Sequence, residues 1–180
     1  MIIGGIIFTD VTMELFEKLR NEGYEVTTFA AGSFWIAEAI FRRVQGVVAT
    51  AVGYMGGELE YPTYEEVSVG DTGHVEVVQI VYDPKVVPYG KLLELFWELH
   101  NPTAPDEKGE KVPGQYGSVI FYHNEDQKSL AILSKKEIES SGKFRKDIIT
   151  EIRPATRFFR AKEYHQQYFE KTASGGHIIK

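Results

Sequence analysis

The run from His74 to Tyr82 constrains the fold more than any other segment. Its alternate positions are apolar on both sides. Val75, Val77 and Val81 fall on one face, and Val78, Ile80 and Tyr82 on the other. A strand with two apolar faces is stable only when both are covered, so this one belongs in the middle of a layered sheet. Glu76 shares the face of His74, Val78, Ile80 and Tyr82. A carboxylate in that setting is desolvated, which raises its proton affinity toward general-acid duty. The alternative is a strand-end carboxylate satisfied by loop N–H groups.

The rest of the chain alternates strand and helix signals. Ile2 to Phe8 reads as a strand, followed by a helix carrying Leu15, Phe16 and Leu19 that Gly23 ends. Val26 to Ala30 reads as a strand and Ala31 to Trp35 as a turn. A helix then passes through Glu38 and Phe41 to Val44, and Val47 to Tyr54 follows as a strand. Met55 to Gly73 is a long loop rich in Gly, Tyr and acid, a length that often marks function. Pro88 opens a helix over Tyr89 to His100, and residues 101 to 117 form a second long loop. Ser118 to Tyr122 is a strand, and Asn124 with Gln127 suggests a capping box for a helix reaching about Ser140. Ile148 to Ile152 reads as the last strand and Phe159 to Lys171 as the last helix. The mix indicates an α/β or α+β sandwich, a single domain over residues 1–180. Within it, 1–25 is a strand-helix extension, 26–170 the core and 171–180 a loose tail.

Composition removes several kinds of chemistry. The 180 residues include no Cys, which excludes disulfides, thiolate metal sites and any thiol mechanism in the chain as it stands. A net charge of −6 argues against general nucleic-acid binding. No stretch nears the roughly 20 apolar residues of a membrane span, and the first residues lack a basic leader. A soluble, cytoplasmic protein is expected, with no metal and no cofactor.

Three constellations remain. Ser33 falls at a strand-to-helix turn, where N–H groups and the helix dipole favour negative charge. The plain reading is a Ser N-cap, among the preferred cap residues. A hydrolase elbow would need Gly at position 35, which is Trp35. A serine hydrolase built on Ser33, His74 and Glu76 is therefore disfavoured, as is a metal held by His74 and Glu76. Tyr54, Tyr61, Tyr64 and Tyr116 lie in or beside the long loops and suit a neutral substrate oxygen, or ordinary loop packing. His100, His123, His165 and His177 are scattered, and surface or capping roles are expected for them.

Read together, the segments resemble peptide methionine sulfoxide reductase of the A type. The resemblance rests on Gly32-Ser33-Phe34-Trp35 leading through Glu38-Ala39 to Phe41-Arg42-Arg43, then Val52-Gly53-Tyr54-Met55-Gly56-Gly57 and Pro62-Thr63-Tyr64. It continues with Gly70-Asp71-Thr72-Gly73-His74-Val75-Glu76, His100-Asn101-Pro102-Thr103, Gly114-Gln115-Tyr116 and Glu163-Tyr164-His165-Gln166-Gln167-Tyr168. It covers about residues 26 to 170. It implies an α+β two-layer sandwich, a mixed sheet covered by helices. It also implies reduction of methionine S-sulfoxide, free or in proteins, by a nucleophilic Cys at the place of Ser33, with regeneration by thioredoxin or another thiol reductant. By the same resemblance Glu76, Tyr64 and Tyr116 hold and protonate the sulfoxide oxygen, and Phe34 and Trp35 wall the methyl pocket. Three positions depart from the family: Ser33, Ser68 where Cys is frequent, and Lys111 where an Asp is usual. A chain with Ser33 is expected to bind a sulfoxide without reducing it. The alternative is a naturally thiol-free relative that only binds.

Overall fold

The computed structural model describes residues 2–3, 6–7, 13–103 and 114–174. Strands β1 (Ile2–Ile3) and β2 (Ile6–Ile7) pair antiparallel, so the initial apolar run is two short strands rather than one. Helix α1 (Met13–Asn21) leads to β3 (Glu25–Ala31), α2 (Phe34–Phe41), β4 (Val47–Met55), α3 (Tyr64–Val69) and β5 (Val75–Tyr82). Then come α4 (Tyr89–Glu98), β6 (Ser118–Tyr122), α5 (Glu125–Ser140), β7 (Glu151–Pro154), β8 (Phe159–Arg160), a 3₁₀ turn at Glu163–His165 and α6 (Tyr168–Ser174).

The main sheet has six strands in the order β7-β6-β3-β5-β4-β8. It is mixed: β6 and β7 run parallel, joined by α5, and the other neighbours are antiparallel. All eight residues of β5 are buried, as its two apolar faces require. Val78, Ile80 and Tyr82 pack with Phe29, Phe41 and Phe96 on the side of α2 and α4. Val75 and Val77 pack with Ala30, Met55 and Phe121 on the other.

Four expected features change. The long loop after β4 contains α3, a helix of six residues opened by a true capping box. Thr63 Oγ1 accepts from the Glu66 N–H at 3.1 Å and Glu66 Oε1 accepts from the Thr63 N–H at 3.0 Å. The expected box at α5 is only half formed: Asn124 accepts from the Gln127 N–H, but the Gln127 side chain accepts from His123 instead. The expected helix from Phe159 to Lys171 is instead edge strand β8, the 3₁₀ turn and α6. Phe159 pairs with Tyr54 of β4, and that edge pairing withdraws the first residues from any helix. The last core strand is likewise β7, three residues beyond the expected start.

Candidate active site

The site gathers where β3 ends, α2 begins and β5 starts. Gly32 makes the turn with φ of 78°, a left-handed conformation that a side chain would strain. Ser33 follows as the N-cap of α2, and its carbonyl accepts from the Ala37 N–H at 3.1 Å. Its hydroxyl caps nothing, contrary to the expected Ser cap. The start of the helix is instead met by Glu76. Its Oε1 accepts from the Phe34 N–H at 3.1 Å, so a carboxylate from another strand takes the first orphan donor of the helix. Side chain 33 is half-buried and makes no hydrogen bond among the described residues.

Glu76 is 2% exposed. Its Oε2 accepts from Gln115 Nε2 at 2.7 Å, and its own N–H donates to the Gln115 carbonyl at 2.7 Å. Burial raises its proton affinity above the usual carboxylate range, while the Gln115 and Phe34 hydrogen bonds oppose the rise. Tyr116 is 51% exposed, and burial, Glu76 and Tyr64 push its hydroxyl up to about 12. The Tyr64 hydroxyl lies within its hydrogen-bonding reach. The Tyr116 phenol therefore stays protonated as a donor at neutral pH. Tyr64 is placed by the capping box, as the first residue of α3.

The aromatic wall is larger than the sequence indicated. Phe34 is buried and Trp35 half-buried, their ring centroids 6.4 Å apart. Trp35 stacks on Tyr168 at 4.0 Å and 9°, and lies nearly parallel to Tyr64 at 6.5 Å. Its indole Nε1–H donates to His165 Nδ1 at 3.0 Å. His165 is 2% exposed, not a surface or capping residue, because the 3₁₀ turn delivers it beneath Trp35. His100 has the capping role expected, donating from Nδ1 to the Phe96 carbonyl in the last turn of α4 while Nε2 meets Ser118; His123 is tied to Thr28, and burial lowers both to about 4. His177 lies outside the described residues.

Other expected site residues fall elsewhere. Tyr54 is buried under Phe34 at 5.8 Å, opposite Glu76 in the sheet, and Tyr61 stacks outside on Arg157. His74 has both nitrogens engaged, Nδ1 with the Gly57 N–H at 3.1 Å and Nε2 with the Leu59 carbonyl at 2.7 Å. No hydrogen bond joins it to Ser33 or Glu76 among the described residues, so the hydrolase triad is absent from them. Ser68 is exposed on α3 and donates to the Tyr64 carbonyl at 2.7 Å. Lys111 lies outside the described residues. Gln115 and Tyr168 were not singled out as site residues from sequence; the only signals were their places in the Gly114-Gln115-Tyr116 and His165-to-Tyr168 matches.

An oxygen bound before residue 33 would meet a carboxyl able to give a proton and two phenol donors, beside an apolar wall. Solved structures that share this fold include a methionine sulfoxide reductase. Mxr1 from Saccharomyces cerevisiae in reduced form superposes with a TM-score of 0.73 at 32% identity, over 86% of this chain and 88% of that one. Methionine sulfoxide reductase A of Corynebacterium diphtheriae does so at 0.70 and 32%, over 84% and 76%. Mxr1 in complex with Trx2 gives 0.55 at 27% identity, over 82% and 86%. The family model for peptide methionine sulfoxide reductase matches residues 25–179. The peptide methionine sulfoxide reductase MsrA of Methanosarcina acetivorans is 54% identical over 163 residues, 91% of this chain and 86% of its own length. That of Methanothermobacter thermautotrophicus is 55% identical over 148 residues, 82% and 88%. The chain belongs to the peptide methionine sulfoxide reductase family. Among the described residues, no helix is long and apolar enough to cross a membrane.

Proposed function

We infer that this chain is a peptide-methionine (S)-S-oxide reductase in architecture which, with Ser33 at the nucleophile position, binds methionine S-sulfoxide and does not reduce it. The observation that carries the reading is Glu76, a buried carboxyl with raised proton affinity bonded to the first N–H of the helix that presents residue 33. Phe34 and Trp35 flank the substrate methyl, and Tyr64 and Tyr116 donate to the sulfoxide oxygen.

With a thiolate at position 33 the chemistry balances. The sulfur nucleophile attacks the sulfoxide sulfur as Glu76 protonates the oxygen. The S–O bond then breaks as the oxygen passes to the attacking sulfur. Methionine leaves reduced by two electrons, and the thiol is left as a sulfenic acid. With Ser33 the same transfer would form an O–O bond, a peroxide in place of a sulfenic acid. Among the described residues no imidazole bonds the hydroxyl to ionise it, since His74 is engaged elsewhere. Binding survives and turnover does not.

The S33C variant would carry a lone thiol, so an external thiol must reduce its sulfenic acid. The complex of the related Mxr1 with Trx2 supports thioredoxin as that reductant. We place the chain in the cytoplasm, where thiol reductants are kept reduced, and assign the activity to residues 26–170.

Calorimetry on the unaltered chain should show binding of N-acetylmethionine (S)-sulfoxide methylamide with no thioether formed. The S33C variant with dithiothreitol should reduce the S epimer and leave the R epimer. No turnover by S33C would sink the reductase reading. The complete absence of Cys favours a second reading, a thiol-free relative that only binds sulfoxides. Binding by the unaltered chain without turnover by S33C would select it.

A further inference from the structure

We propose that His165 is a positioning residue for the substrate pocket: by accepting the Trp35 indole N–H it fixes the ring that walls the sulfoxide side chain. The proposal rests on the sulfoxide-binding reading of the site.

Three observations converge. First, the Trp35 Nε1–H to His165 Nδ1 bond of 3.0 Å joins residues 130 apart in the chain, so it is not a by-product of local structure. Tyr168 holds the same indole by its face at 4.0 Å. Edge and face together leave the ring little freedom to rotate.

Second, His165 is a poor choice for packing alone. Its ring is surrounded by Phe34 at 5.4 Å, Tyr64 at 4.8 Å and Tyr164 at 4.1 Å. With Nδ1 accepting, the neutral ring carries its proton on Nε2, and buried Nε2 has no hydrogen-bond partner among the described residues. A Phe would fill this aromatic cage without an orphan donor. What a Phe lacks is the acceptor for Trp35.

Third, the segment carrying His165 and Tyr168 is anchored from two sides. Gln166 bonds the Val52 N–H and carbonyl at 2.8 Å each. The Gln167 N–H donates to Glu38 Oε1 at 2.6 Å, holding a left-handed residue with φ of 46°. Such a conformation in a non-glycine residue persists only where its surroundings impose it.

The bond itself can be observed in the unaltered, ¹⁵N-labelled chain as a scalar coupling across the hydrogen bond from Trp35 Nε1 to His165 Nδ1. Binding of N-acetylmethionine (S)-sulfoxide methylamide is then compared by calorimetry between variants. H165F keeps an aromatic ring and loses the acceptor, so its affinity should fall roughly tenfold, about the effect of one hydrogen bond. H165N puts a carbonyl oxygen near the place of Nδ1 and should restore most of that loss. If H165F does not fold, H165Q replaces it, because its oxygen reaches the place of Nε2 and should not rescue. Absence of the coupling, full affinity in H165F, or H165N no better than the non-rescuing variant would overturn the proposal. Failure of the unaltered chain to bind the sulfoxide would overturn the reading of the site, while the coupling would still decide whether the clamp exists.

Discussion

Two glutamates in this molecule are equally hidden and do opposite things. Glu38 on α2 is 1% exposed and Glu76 on β5 is 2% exposed. Glu38 is saturated: Thr50 Oγ1 donates at 2.8 Å, and Gln167 donates through its backbone N–H at 2.6 Å and its side chain at 3.2 Å. Arg42 bonds Thr50 and reaches outward to Glu170. That carboxylate ties α2, β4 and the segment before α6 together. Glu76 has two donors, Phe34 and Gln115, and its proton affinity is raised by burial. It sits beside residue 33 and two phenols, one half open to solvent. Burial thus does not distinguish a structural carboxylate from a reactive one. The number of donors that satisfy it, and the half-exposed phenol of Tyr116 beside it, do.

The largest effect should come from Glu76. In the S33C background, Glu76→Gln should lower the rate of sulfoxide reduction by about 10²–10⁴-fold, the usual contribution of a positioned general acid. Single-turnover kinetics measure it, and a loss below about threefold would remove Glu76 from the chemistry.

Glu38→Ala should instead cost stability, about 3 kcal/mol in urea unfolding, because it leaves the Gln167 and Thr50 donors without their acceptor. The same experiment on Glu76→Gln should show the reverse sign at neutral pH. A carboxyl whose native proton affinity is raised destabilises the fold once it must ionise, above its native pKa. The advantage of Glu76→Gln should therefore grow as pH rises through that pKa and vanish below the ordinary 4.5. Equal behaviour of the two variants would erase the distinction between the two carboxylates.

Thr63→Ala should cost about 1 kcal/mol by removing half of the box that opens α3, and should weaken sulfoxide binding through Tyr64. The smallest change belongs to the solvent end of the Glu38 network. Glu170→Gln removes the surface pair with Arg42 and should shift stability by less than about 1 kcal/mol.

Much of the site was legible because several of its residues carry strong local signals. Gly32 to Trp35 marks a strand-to-helix turn, and Glu76 interrupts an apolar strand, so each stands out within a short window. His165 did not, since its partner Trp35 is far away in the chain. Helix α3 was missed because six residues after Pro62 are too few to show a period. The segment at Phe159 was read as helix because its apolar spacing fits one, while its true state depends on pairing with Tyr54.

By itself the sequence determined the local facts: a central strand with two covered faces, a residue 33 presented at a helix start, and a chain with no thiol to place there. Each follows from side-chain type and spacing over a few residues. Only the tertiary structure decided that β5 lies between β3 and β4, that Glu76 rather than Ser33 satisfies the start of α2, and that His165 holds Trp35. Those outcomes depend on contacts between residues tens of positions apart. They are set by the way the layers close over the sheet, which no local pattern encodes.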